Sequence, residues 1–154
     1  MKSILFVCLG NICRSPTAQA VFADRLERAG LVIELDSAGT IPHHQGRPPD
    51  SRAIHHGRLR GLELEHLRAR EVVETDFHRF DRIFAMDRAN LAELQRRQPT
   101  RAAASIELLM SLAPDYGLEE VPDPYYGGDQ GFERVLDMLD AAAQRLVEQI
   151  IAAC

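Results

Sequence analysis

Cys8 and Arg14 are separated by five residues and Ser15 follows directly, in the run Cys8-Leu9-Gly10-Asn11-Ile12-Cys13-Arg14-Ser15. A cysteine thiolate is a strong nucleophile, and a guanidinium is a planar fork that fits two oxygens of a tetrahedral oxyanion. Between them, Gly10 and Asn11 tolerate left-handed or otherwise tight backbone that turns peptide N–H groups inward. A cysteine and an arginine met singly would more often be a core thiol and a surface charge. Here the surrounding residues favour an anion cradle with Cys8 at its floor and Arg14 at its exit. The arginine's charge and a helix end should favour the thiolate of Cys8 near neutrality. A second chemical group is Asp123 in Pro122-Asp123-Pro124-Tyr125-Tyr126-Gly127-Gly128, a proline- and glycine-bounded loop able to lean over a site. Expelling a phenolic oxygen is slow near neutral pH, so a proton donor beside it should contribute roughly 10²–10⁴-fold.

These groups need elements to hold them. The unbroken apolar run Ile4 to Val7 reads as a strand buried on both faces that delivers Cys8 into the loop. Ser15 is a suitable N-cap and Pro16 a suitable first helical residue, while Ala18, Val21, Phe22 and Leu26 recur on one face, so a helix is expected over Pro16 to Ala29. Its N-terminal N–H groups and dipole then point into the loop, where phosphate is the natural guest. Further strands are expected at Val32 to Leu35, Arg82 to Ala85 and Ile106 to Met110, and further helices at Asp50 to Leu59, Asp87 to Arg97 and Phe132 to Ala152. Phe132, Leu136, Leu139, Ala143, Leu146 and Ile150 form one apolar stripe on the last of these. This alternation predicts an α/β fold: an open, doubly wound, mostly four-stranded parallel sheet with helices on both faces. Ligands of such sheets bind beyond the carboxyl ends of the strands, where Cys8 falls.

Composition fits one domain over residues 1–154: 45% of residues are apolar and no linker or repeat divides the chain. The apolar start is broken by Gly10, Asn11 and Arg14, which argues against a secretory signal, and no run is long enough to span a membrane. Three cysteines, two of them in one loop, suit a reducing cytoplasmic setting better than a disulfide framework. A net charge of −5 gives no reason to expect nucleic acid. Zinc held by Cys8 and Cys13 with His43-His44 or His55-His56 is disfavoured, because adjacent histidines diverge and the cysteine spacing is loose.

The run from Cys8 to Pro16 resembles the phosphate-binding loop of low-molecular-weight protein tyrosine phosphatases. Later segments are similar to that family's blocks in the same order: Asp36-Ser37-Ala38-Gly39-Thr40, Gly46-Arg47-Pro48-Pro49-Asp50, Arg68-Ala69-Arg70, Asp76-Phe77, Phe80-Asp81, Met86-Asp87, Asn90-Leu91 and Asp123-Pro124-Tyr125-Tyr126-Gly127. The resemblance implies a flavodoxin-like fold and a phosphotyrosine-containing protein substrate, with a tyrosine kinase among the candidates. It implies no cofactor and no metal, and a monomer is expected. It further implies that Cys8 is the nucleophile, that Arg14 and the amides of Leu9, Gly10, Asn11, Ile12 and Cys13 bind phosphate, and that Asp123 is first acid and then base. Ser15 would donate to the leaving thiolate, and Asn11 would hold the loop through Ser37. Tyr125 and Tyr126 would flank the substrate ring, with His43 on the opposite wall, where relatives often carry a larger aromatic or an aliphatic residue. Cys13 lies where it could form a reversible disulfide with Cys8 or simply support the loop.

Three rivals share the design. Arsenate reductases of this kind need further cysteines, and none lies between Cys13 and Cys154. Protein-arginine phosphatases tend to carry threonine where this chain has Ile12, whose apolar branch should favour an aryl ester. A non-catalytic phosphoprotein-binding module would need neither the thiol nor the acid.

Overall fold

A computed structural model describes residues 1–154, except for the side chain of Tyr126. Strand β1 (Ser3–Cys8) is buried along its whole length, as its apolar run requires. It pairs in parallel with β2 (Glu34–Gly39) on one side and β3 (Arg82–Ala85) on the other, and β4 (Ser105–Leu108) extends the sheet beyond β3. The strand order β2-β1-β3-β4 means that the chain leaves β1 first to one side and later returns to the other. The crevice created by that reversal opens at the carboxyl end of β1, at Cys8.

The alternation of side chains along β1 divides the core. Ile4, Phe6 and Cys8 face α1 (Arg14–Arg28) and the long C-terminal helix, where they pack with Phe22, Leu136 and Leu139. The Phe6 and Phe22 rings lie 4.7 Å apart in a tilted arrangement, a geometry that adds about 0.5–1.5 kcal/mol to their burial. Leu5 and Val7 face the other layer, with Phe77, Phe80 and Leu94. That layer is built from segments around Asp76–Arg79 and Arg88–Arg97. In chain order the remaining helices are α2 (Ser51–Leu59), α3 (Asp76–Arg79), α4 (Arg88–Arg97) and α5 (Gly128–Ala153). Among the described residues no helix is long and apolar enough to cross a membrane.

Several boundaries differ from the expectations. The second strand starts at Glu34 and runs to Gly39, and Val32 is 98% exposed. Pairing sets this boundary: Ser3 lies opposite Glu34 and Cys8 opposite Gly39, so the ladder covers the small residues Ser37-Ala38-Gly39 and leaves out Val32 and Ile33. The fourth strand ends at Leu108, where the chain tightens into a 3-10 turn over Leu109–Leu112. Helix α1 starts at Arg14, two residues before Pro16, with Cys13 in the cap position and no side-chain cap. The Cys13 carbonyl instead accepts from the Thr17 N–H at 3.3 Å and the Thr17 hydroxyl at 2.6 Å. Pro16 remains in the first turn, where a missing N–H costs nothing. Helix α5 begins before the expected Phe132, and its stripe is buried from Phe132 to Leu146.

Candidate active site

Cys8 ends β1 with only 3% of its surface exposed. The Asn11 N–H reaches its sulfur at 3.3 Å, and the Ser15 hydroxyl lies 3.1 Å away. Asn11 is the one described non-glycine residue with left-handed backbone, at φ 59°, a conformation that asparagine accepts more readily than most residues. Its side-chain amide donates to Ser15 Oγ at 2.8 Å and to Ser37 Oγ at 3.0 Å, while its Oδ1 accepts from the Arg70 N–H at 3.0 Å. Because Ser15 Oγ accepts from Asn11, its own hydrogen is available to the sulfur. Its alternative acceptor, the Ala38 carbonyl, is farther away at 3.5 Å. The expected helix cap is therefore corrected: the hydroxyl of Ser15 is drawn to Cys8 and Asn11.

The rest of the loop is held by its neighbours. The carbonyls of Cys8, Leu9 and Ile12 accept from the N–H groups of Thr40 (3.0 Å), Ile41 (3.2 Å) and Asp50 (2.8 Å). Three of the loop's carbonyl oxygens are thus spent on neighbouring segments, which suits an anion cradle, where acceptors facing the guest would repel it. The backbone of Leu9 to Asn11 lies directly on Gly39, where a Cβ atom would come within 2.7 Å of the Leu9 carbonyl oxygen. Glycine at 39 lets the loop approach that closely.

Arg14 is 4% exposed, and its Nη1 donates to Asp87 Oδ2 at 2.6 Å and to the Val121 carbonyl at 3.0 Å. Burial works against its charge, but Cys8, Asp87 and Asp123 outweigh that penalty and hold the guanidinium more firmly protonated than usual. Asp87 also caps α4 through the Asn90 N–H at 2.8 Å, so one carboxylate anchors both a helix and the arginine. Cys13 is different in kind. Burial, followed by the nearby charges of Asp50, Cys8 and Asp123 and offset in part by Arg52, pushes its thiol up to about 12. Cys8 and Cys13 are both free thiols.

Beyond the loop lies a cleft of about 260 Å³, whose floor is formed by Cys8, Leu9, Gly10, Ile12, Cys13 and Arg14. Ile41, His43, His44, Asp123 and Tyr125 complete its lining. Asp123 is exposed and caps the 3-10 turn Pro124–Tyr126, accepting from the Tyr125 N–H at 2.9 Å. Thus Cys8 and Arg14 line one cavity with Asp123, which lies more than a hundred residues farther along the sequence. Among the residues expected to bind substrate, Leu9, Gly10, Ile12, Cys13, His43 and Tyr125 line it. Asn11 and Ser15 lie beneath the loop as its supports, 2% and 0% exposed. The side chain of Tyr126 lies outside the described residues.

Four contributors escape the sequence reading. Ile41 and His44 line the cleft, Asp87 orients Arg14, and Gly39 seats the loop. Each lies in or beside a segment singled out in the sequence, but no periodicity or spacing distinguishes a residue that meets the loop only after folding. The two histidine pairs also separate: His43 and His44 form part of the cleft wall, whereas His56 is buried on α2 against Glu133 and Asp129.

Residues 3–153 match the family model described as low molecular weight phosphotyrosine protein phosphatase. The low molecular weight protein-tyrosine-phosphatase of Streptomyces coelicolor is 45% identical over 152 residues, covering 96% of this chain and 92% of the relative. A crystal structure of a protein tyrosine phosphatase from Entamoeba histolytica superposes with a TM-score of 0.93 at 41% identity, covering 99% of both chains. YfkJ from Bacillus subtilis superposes with a TM-score of 0.91 at 39% identity, covering 99% of this chain and 96% of that one. The sequence, the fold and the cleft agree: the chain belongs to the low molecular weight phosphotyrosine protein phosphatase family.

Proposed function

We propose that this protein hydrolyses phosphotyrosine monoesters on proteins through a phosphocysteine formed at Cys8. The observation that carries this reading is the meeting of Cys8, Arg14 and Asp123 around one cleft. In the first step the Cys8 sulfur attacks phosphorus in line with the ester oxygen. An S–P bond forms, the P–O bond breaks, and Asp123 gives its proton to the departing phenolic oxygen. Arg14 and the loop N–H groups hold the equatorial oxygens, whose charge they match throughout the transfer. In the second step the Asp123 carboxylate takes a proton from water as the water oxygen attacks phosphorus. The S–P bond breaks, inorganic phosphate is released and the sulfur leaves as a thiolate. The Ser15 hydroxyl, 3.1 Å from that sulfur, stabilises it.

A phosphotyrosine suits the cleft because His43 and Tyr125 line it beside Cys8 and Arg14, so that rings are at hand for its ring and the loop for its phosphate. Ile12 on that floor favours an aryl ester over a polar phosphoguanidinium. We read residues 1–154 as a single catalytic domain that acts in the cytoplasm as a monomer on phosphotyrosine proteins, with a tyrosine kinase among the candidate substrates.

The test is hydrolysis of p-nitrophenyl phosphate without added metal. Cys8→Ser is expected to abolish turnover while retaining phosphate binding, and Asp123→Asn to lower turnover of a phosphotyrosine peptide, whose phenolic leaving group needs a proton, by roughly 10²–10⁴-fold. A rapid quench of the parent should trap phosphate on Cys8. Turnover by Cys8→Ser at the parent's rate would refute the covalent route. Equal or better cleavage of a phosphoarginine peptide than of a phosphotyrosine peptide would refute the substrate class.

A further inference from the structure

Asp123 stands on an exposed loop, yet a general acid must be held within hydrogen-bond reach of one oxygen. On its N-terminal side that loop is pinned at Val121, whose N–H donates to the Met86 carbonyl at 2.8 Å and whose carbonyl accepts from Arg14. On its C-terminal side the turn that Asp123 caps is met by Arg52, from α2. Arg52 Nη1 donates to the Tyr125 carbonyl at 3.0 Å, and its guanidinium carbon lies 5.0 Å from the centre of the Tyr125 ring and 5.0 Å from that of Phe132. Both distances fall within the range of cation–π attraction. The remaining nitrogens of Arg52 grip Asp50, with Nε to Oδ1 at 3.1 Å and Nη2 to Oδ2 at 3.1 Å. Asp50 in turn is tied to the phosphate loop, its N–H donating to the Ile12 carbonyl at 2.8 Å.

We propose that Arg52 is a positioning residue that couples the phosphate loop to the general-acid loop, fixing Asp123 over Cys8 through Asp50 on one side and Tyr125 on the other. Arg52 does not line the cleft, so it acts through Asp123 and not on the substrate. Only arginine can do this here. A planar fork spends its edges on Asp50 and the Tyr125 carbonyl while leaving its faces to the rings, whereas a lysine ammonium is a point charge.

This inference rests on the function proposed above, and leaving-group dependence tests it. Phenolate needs a proton to depart and p-nitrophenolate needs little help, so a displaced Asp123 penalises phenyl phosphate selectively. Arg52→Ala is expected to lower kcat/KM for phenyl phosphate by about 10-fold and that for p-nitrophenyl phosphate by no more than about 2-fold. Inhibition by inorganic phosphate should stay within about 2-fold, since the cradle itself is untouched. Arg52→Lys should show the same selectivity, only partly rescued, and supplies the comparison if the alanine variant folds poorly. In an Asp123→Asn background, Arg52→Ala should add no further leaving-group dependence. Equal losses on the two esters, or a selective loss that persists without Asp123, would overturn the coupling. A parent protein that cleaves neither ester would overturn both this inference and the function beneath it.

Discussion

Replacing Gly39 with alanine changes one hydrogen to a methyl group beneath the phosphate loop. The new Cβ would lie 2.7 Å from the Leu9 carbonyl oxygen, 3.1 Å from the Gly10 carbonyl carbon and 3.2 Å from the Asn11 nitrogen. All three are backbone atoms, so no flexible side chain can swing aside. Ordinary contact begins near 3.4 Å, so the loop or β2 must yield by about 0.7 Å at the tightest point. Overpacking of this kind costs about 1–3 kcal/mol, which for a chain of this size lowers Tm by roughly 3–10 °C. Catalysis should suffer more. The Asn11 N–H that faces Cys8 belongs to the displaced segment, and a misplacement approaching 1 Å costs up to about 10²-fold. We expect kcat/KM for p-nitrophenyl phosphate to fall by about 10- to 100-fold and inhibition by inorganic phosphate to weaken in parallel. Gly30→Ala is the control. Its φ of 72° disfavours a side chain, but nothing lies within 4 Å of the added carbon, so it should cost about 1–2 kcal/mol of stability and leave kcat/KM unchanged. If Gly39→Ala lost stability but kept parental turnover and phosphate inhibition, the loop would not depend on Gly39 for its shape.

Asp87→Asn keeps a cap acceptor for the Asn90 N–H but removes the charge that Arg14 pairs with at 2.6 Å; kcat/KM should fall by about 10-fold or more. Asp87→Ala also loses the cap and should unfold with about 1 kcal/mol less stability than Asp87→Asn in a denaturant titration. The raised thiol of Cys13 gives a pH signature. Its folded value near 12 exceeds its ordinary 9.0, so the neutral thiol's contribution is intact below pH 9 and is lost as pH rises from 9 towards 12. Thermal unfolding between pH 8 and 10.5 should show the parent losing stability relative to Cys13→Ala, at up to about 1.4 kcal/mol per pH unit above 9. A constant difference between the two would contradict that burial. Iodoacetamide at neutral pH should label Cys8 in preference to Cys13, as peptide mass mapping would show.

The sequence by itself determined the parts whose causes are local. The apolar run Ile4 to Val7 is buried on both faces as β1, Asp50 and Asp87 cap their helices, and the stripe from Phe132 gives α5 its buried face. These features follow from side-chain period and backbone capping, which involve residues a few positions apart. Cys8, Arg14 and Ser15 could be singled out for the same reason, since loop, glycine and helix start are contiguous. Tertiary structure decided what depends on distant segments meeting. Strand β2 took its boundaries from pairing with β1, which left Val32 in solvent and placed Gly39 under the loop. Asp87, Arg52 and His44 acquire their places only when α4, α2 and the segment after β2 close around the cleft. A nucleophile's immediate loop is written in neighbouring residues, but the charges and contacts that orient its partners arise between residues that only the folded chain brings together.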